Sequence, residues 1–175
     1  MGCYSERKDY KRAIKVLEDY IDKSPHQGYL YYAYHNLAHC FYLNEKYNES
    51  LQMISNAFGC QVDKSEMSVT QLLEGIVYVA LGEIDKAIYC FEECKEGIKL
   101  HIQKQFLDEW YEETIKLFFS LGEYHNVKLL LEEVKYLVNS GEFPAIVFKD
   151  LKLQLVEYAL GIDPLSFGKL EILSL

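Results

Sequence analysis

The strongest constraint on this chain is an internal repeat of apolar and small residues carried on helical spacing. Four short steps interrupt the sequence: LNEKYN at 43–48, ALGEID at 80–85, SLGEYH at 120–125 and NSGEFP at 139–144. Between them apolar residues recur every three or four positions, the period of an amphipathic helix, and strand-like alternation is nearly missing. Aligned on the steps, a large residue is followed by a small or apolar one three later, a large apolar one four beyond that, and a further residue three later. The sets are Tyr10, Ala13, Leu17 and Tyr20; Tyr47, Ser50, Ile54 and Ala57; Ile84, Ala87, Phe91 and Cys94; and Tyr124, Val127, Leu131 and Val134. Their first residues, at 10, 47, 84 and 124, recur at a nearly constant interval, so one helical hairpin is being reused along the chain.

The helix preceding each step has its own pattern. Tyr34, Leu37, Ala38 and Phe41 define it; Gln71, Glu74, Gly75 and Tyr78 follow it with two polar departures, and Tyr111, Thr114, Ile115 and Phe118 follow it loosely. Small residues such as Ala38 and Gly75 are required where two helix backbones approach closely, and Ala13 and Ala87 meet the same need from the other helix.

These residues resemble the tetratricopeptide repeat over about residues 2–137, with intervals somewhat longer than the family's usual 34 or so residues. Pro25, five residues after Tyr20, stands where that family often ends a repeat. The resemblance implies an all-α fold, a right-handed superhelix of antiparallel helix pairs (an α-solenoid), forming one domain over 1–175. Within it, 1–26 is a truncated first repeat, 27–62, 63–100 and 101–140 are the second to fourth, and 143–175 is a C-terminal capping helix and tail. Because the first repeat lacks most of its first helix, the stripe of Ala13, Ile14 and Leu17 would be uncovered. The chain is then expected to be a fragment, a truncated product, or a protein that pairs through its N-terminal end as a homodimer.

The family's binding groove is lined by the first helix of each pair, which carries over to particular residues here. In the second repeat they are Tyr32, His35, Asn36 and His39, a hydrogen-bonding face, with Asn36 where related peptide-binding repeats hold an asparagine against the peptide backbone. In the third they are Val69, Leu72, Leu73 and Ile76, either an apolar pocket floor or packing residues. In the fourth they are Glu109, Glu112, Glu113 and Lys116, whose carboxylates would draw a basic side chain or free amino terminus. The implied partner is a short peptide or protein segment. Long repeats, tyrosine-rich helices and Asn36 are also similar to the sensor domains of Gram-positive peptide-pheromone regulators of the Rap, Rgg, NprR and PlcR kind. That implies quorum sensing within a transcriptional regulator, several of which carry a helix-turn-helix ahead of the repeats.

Charge narrows the partners further. A formal net charge of -9 argues against nucleic acid, which needs clustered Lys and Arg. No apolar run reaches the roughly 20 residues of a membrane span, and the start MGCYSERKDYKR lacks a signal-peptide core, so the cytoplasm is the expected compartment. Glu6 stands where the myristoylation pattern needs Ser or Thr. Five scattered cysteines, Cys3, Cys40, Cys60, Cys90 and Cys94, read as reduced thiols, and Cys90 and Cys94 as packing residues. The pair His35 and His39 has i, i+4 spacing, but HNLAH lacks the glutamate of the zinc-protease motif and a third ligand. With no phosphate-binding loop, dinucleotide fingerprint or nucleophile elbow, the expectation is a binding module with no cofactor, metal or catalytic residue. A scaffold with an empty groove is the alternative, and a metal enzyme using the two histidines the third reading.

Overall fold

A computed structural model describes residues 3–23 and 27–142, which form seven α-helices with no strand among them. They are α1 (Cys3–Lys23), α2 (Gln27–Leu43), α3 (Tyr47–Phe58), α4 (Lys64–Leu81), α5 (Ile84–Leu100), α6 (Gln105–Ser120) and α7 (Tyr124–Asn139). The helix expected after Pro144 and the tail to Leu175 lie outside the described residues. Where one domain was expected, the chain divides into two compact units, Met1–Phe106 and Leu107–Leu175. No helix among the described residues is long and apolar enough to cross a membrane.

The steps seen in the sequence are the helix ends. Tyr47, Ile84 and Tyr124 are the first residues of α3, α5 and α7. At the end of α4, Gly82 turns left-handed (φ 74°), and the N–H groups of Gly82 and Glu83 reach the carbonyls of Val79 and Tyr78 at 3.0 and 2.9 Å. This closes the last turn with the backbone sense that glycine adopts without penalty. After α2 the same left-handed position is held by Glu45 (φ 62°), a conformation that costs a side-chain-bearing residue about 1–2 kcal/mol. Tyr10 departs from the pattern because it lies well inside α1: nothing in YSERKD breaks a helix before it.

Helix pairs α1 and α2, α2 and α3, α3 and α4, and α4 and α5 pack together. At the α2/α3 crossing the Ser50 hydroxyl donates to the Ala38 carbonyl at 2.8 Å. Beside it Ala38, Ile54, Leu73 and Val77 form a buried cluster edged by Tyr42, Tyr47, Leu51, Met53, Phe58 and Leu81. The α4/α5 contact depends on two missing side chains. A Cβ on Gly75 would lie 2.5 Å from Cε1 of Phe91, and one on Gly97 would run into the Ser68 side chain.

Equivalent positions of the repeat have equivalent burial. Ser50, Ala87 and Val127, then Ile54, Phe91 and Leu131, then Ala57, Cys94 and Val134 are all at most 1% exposed. A fully buried Phe91 alone contributes about 1.5–3 kcal/mol of apolar transfer. In α1 the pattern fails: Ala13 and Leu17 are only half-buried and Tyr20 is 43% exposed. One helix therefore carries the repeat's packing face without a full cover among the described residues.

The thiols of Cys90 and Cys94 are buried. Burial, and then the Glu74 carboxylate, pushes the Cys90 thiol up to about 12, which keeps it protonated near neutral pH. Replacing Gly75 with alanine drives a methyl into a ring that is 1% exposed. Gly75→Ala should lower unfolding stability by about 1–3 kcal/mol, read as a fall in the urea midpoint with helical content retained.

Candidate functional site

A cavity of about 300 Å³ opens where α2, the first turns of α4 and the segment following α5 converge. Tyr31, Tyr32, His35 and Asn36 line it from α2, Glu66 and Val69 from α4, and His101, Gln103 and Phe106 from beyond α5. The α2 residues stand at i, i+1, i+4 and i+5, so one helical edge supplies all four. Glu66 is placed by the start of α4, where Asp63 caps the helix: its Oδ1 accepts from the backbone N–H of Ser65 and Glu66 at 2.9 and 3.0 Å. At the end of α5 the backbone turns extended at His101 (φ -65°, ψ 141°). The imidazole, 6% exposed, meets the Phe106 ring edge-on at 4.9 Å between centroids.

The polar groups behind this cavity form a chain whose protons can be assigned in order. The Tyr31 hydroxyl donates to the Glu66 main-chain carbonyl, which can only accept. Its one proton is thereby used, so in the 2.7 Å contact with Thr70 the threonine hydroxyl is the donor. Thr70 Oγ1 is then an acceptor toward His35 Nδ1, 2.9 Å away, so that nitrogen carries the proton. Burial, and then His39, lowers the His35 pKa to about 4, so the ring is neutral at pH 7 and Nε2 is a bare acceptor. Tyr31 is pushed up to about 12, mainly by burial, and stays a donor.

A second imidazole is fixed the opposite way. His101 Nδ1 accepts from the Gln103 N–H at 3.1 Å, which leaves the proton of the neutral ring on Nε2, 3.7 Å from Glu66 Oε1. The Tyr32 phenol, at the outer edge, is raised by partial burial and then by Glu66. Glu66 is the one carboxylate among the cavity-lining residues, and no lysine or arginine is among them.

Of the residues expected at a groove, Tyr32, His35, Asn36 and Val69 come together here. Asn36 is exposed, and its amide has no hydrogen-bond partner among the described residues. His39 is exposed but is not among the cavity-lining residues; its ring stacks on Tyr42 at 6.4 Å. Of the two readings open for Leu72, Leu73 and Ile76, packing agrees with their burial, at 1%, 6% and 7% exposed, and Leu73 belongs to the cluster with Ala38, Ile54 and Val77. They are packing residues because the face that holds them is covered.

Glu109, Glu112 and Glu113 lie on α6 in the second unit. Lys116 on the same helix bonds Glu112 and sits 3.3 Å from Glu113, so two of the three expected ligand carboxylates already have a cation. Partial burial, with Glu113 and Glu112, raises the Glu109 carboxyl above its ordinary range.

Glu66, Thr70, His101, Gln103 and Phe106 were not singled out from the sequence. A signal for Glu66 was present: Asp63 and Glu66 have the spacing of a helix-start box, which puts Glu66 on a first turn. His101 and Gln103 follow α5 in a segment without periodicity, where burial comes only from the tertiary fold. Among the described residues no group of three or more His, Cys, Asp or Glu side chains is placed to hold a metal ion. Compared with known proteins, the chain matches no family model, no curated protein and no solved structure.

The proton order has a direct spectroscopic readout. Nitrogen-15 NMR should show His35 as the Nδ1–H tautomer, titrating near pH 4, and Thr70→Val should release it toward the Nε2–H form that dominates in water. Because the folded value is depressed, the unfolded chain binds more protons below its own pKa of about 6.5. The neutral ring's contribution is thus complete above about 6.5 and is lost as pH falls toward about 4, up to on the order of 3 kcal/mol. A His35 that titrates near 6.5 would contradict the buried arrangement.

Proposed function

We propose that this chain is a cytoplasmic tetratricopeptide-like module, a right-handed α-solenoid of antiparallel helix pairs, that binds a peptide or partner segment and catalyses no reaction. The recurring interval, the glycine-bearing turns and the matched burial of equivalent positions support the repeat reading. The observation that carries the binding reading is the convergence of Tyr32, His35 and Asn36 on one cavity, with an unengaged amide at its edge. An amide offers one acceptor and two donor hydrogens, which suits a peptide main chain with its alternating donors and acceptors. The resemblance of its long repeats, tyrosine-rich helices and Asn36 extends the reading to the sensor portion of a peptide-responsive transcriptional regulator. A net charge of -9 favours basic or neutral ligands over nucleic acid. A basic ligand group reaching α6 would compete with Lys116 for Glu112 and Glu113, so Glu109 is the carboxylate left for it.

Peptides selected by binding from a random array provide the test. Asn36→Ala should weaken the selected peptide by about 1–3 kcal/mol in calorimetry, the range for a lost hydrogen bond at a desolvated site. Unchanged affinity would remove Asn36 from the binding surface.

A second reading, a joining surface, is favoured by α1. Val16 and Tyr20 are 66% and 43% exposed beside half-buried Ala13 and Leu17. In the middle of the helix, basic Lys11, Arg12 and Lys15 precede acidic Glu18, Asp19 and Asp22. An antiparallel second copy would set Arg12 across from Asp19, a pair occurring twice about the dyad, as a self-complementary interface requires. Light scattering should give a dimer mass for the wild type and a monomer for Val16→Glu with Tyr20→Glu. A wild-type monomer at high concentration would exclude this pairing.

A further inference from the structure

The cavity beside α2 presents acceptors where a ligand would enter. Glu66 supplies a carboxylate, 26% exposed at its side chain, and no cationic side chain lines the space to neutralise it. The order of protons through Tyr31 and Thr70 leaves His35 with Nε2 as its free nitrogen, and that nitrogen carries a lone pair. Asn36 adds an amide oxygen. Aromatic rings stand on two sides, Tyr32 from α2 and Phe106 from the far wall, and ring faces attract cations.

We propose that this cavity receives a primary ammonium group, either the amino terminus of a peptide or a lysine side chain, with Glu66 as counter-charge, His35 Nε2 and Asn36 as further acceptors, and Tyr32 and Phe106 as walls. The inference rests on the peptide-binding reading and names the group that reading leaves open. An ammonium has three donors and no acceptor, and the Glu66 carboxylate, His35 Nε2 and the Asn36 amide oxygen offer it three acceptors. A guanidinium fits less well. It binds carboxylates best through two parallel hydrogen bonds, and here one oxygen of Glu66 already faces His101 Nε2. An anionic ligand end would meet Glu66 directly, with no cation to receive it.

Small probes test this separately from any peptide. Butylammonium, butylguanidinium, butanol and butyrate are titrated into the full chain while backbone amide shifts are followed. Butylammonium should move the amides of Glu66, Val69, Gln103 and Phe106 in a saturable way, more tightly than butylguanidinium, with butanol and butyrate without effect. Glu66→Gln should weaken butylammonium about tenfold, since a hydrogen bond to a charged group is lost. In the wild type, added salt should weaken it severalfold by screening. That salt series decides the point alone if Glu66→Gln lowers the melting temperature. Two peptides then identify the source: one with a free amino terminus and no lysine, and one acetylated and amidated with a single lysine. Binding by either supports the proposal and names the source.

Equal binding of butanol, butylammonium affinity unchanged in Glu66→Gln, or unmoved amides with butylammonium and both peptides would overturn it. A selected peptide that loses affinity in Asn36→Ala while the amine probes are ignored leaves the peptide-binding reading standing and removes the ammonium site.

Discussion

Helices α4 and α5 can lie against each other only because Gly75 has no side chain where the ring of Phe91 enters. Much of the first unit follows from that contact. With one side of α4 committed to α5 through Gly75 and Ser68, its other side is turned to α2 and α3, where Leu73 and Val77 close on Ala38 and Ile54. The same rotation directs Thr70 and Glu66 to Tyr31 and His35. A rotation of α4 by even one residue, about 100°, would carry Thr70 off the α2 side and leave the Tyr31 and His35 polar atoms buried without partners, each costing about 1–3 kcal/mol. Apolar packing and the polar chain therefore select the same orientation, and each penalises departure from the other.

The polar chain is also what separates this cavity from an ordinary gap between helices. A tyrosine, a threonine and a histidine each cost free energy in a helical core unless their polar atoms are hydrogen-bonded. Here the sequence of donors starts from a main-chain carbonyl that cannot donate, so it runs in one direction and ends at a ring nitrogen that holds no proton. His101 is anchored by a main-chain N–H instead, and its proton is directed at Glu66. Two imidazoles on one cavity thus expose opposite hydrogen-bonding character, and the difference traces to one being held by a hydroxyl and the other by an amide.

Legibility in the sequence followed from how local each determinant is. Helix ends were readable because LGE and SGE steps act within one turn, and Tyr47, Ile84 and Tyr124 begin helices as the steps imply. The small positions were readable for the same reason: Gly75, Ala87 and Ser50 lie where the repeat calls for close approach. Tyr32, His35 and Asn36 could be placed on one helical edge from spacing alone. Burial of Leu72 and Ile76 could not, because an apolar helix face has the same periodicity whether a ligand or another helix covers it. His101, Gln103 and Phe106 escaped for a different reason. His101 and Gln103 reach the cavity through a nonperiodic segment, and Phe106 from the first turn of α6 that follows it, so their placement depends on where α5 ends.

The contrast between α1 and the later helices concerns function as much as fold. In α3, α5 and α7 the repeat face is closed, with the small and large positions no more than 1% exposed. In α1 the same pattern is half open, and Val16 and Tyr20 stand exposed beside it. An exposed apolar stripe is costly to keep in water unless something covers it part of the time. The cavity at Glu66 lies on the side of α2 contributed by Tyr31, Tyr32, His35 and Asn36, whereas Tyr34, Leu37 and Phe41 of α2 line the separate groove bounded by α1 and α3. The cavity and the groove beside α1 therefore take different edges of one helix, so that α2 is walled by open space on two sides.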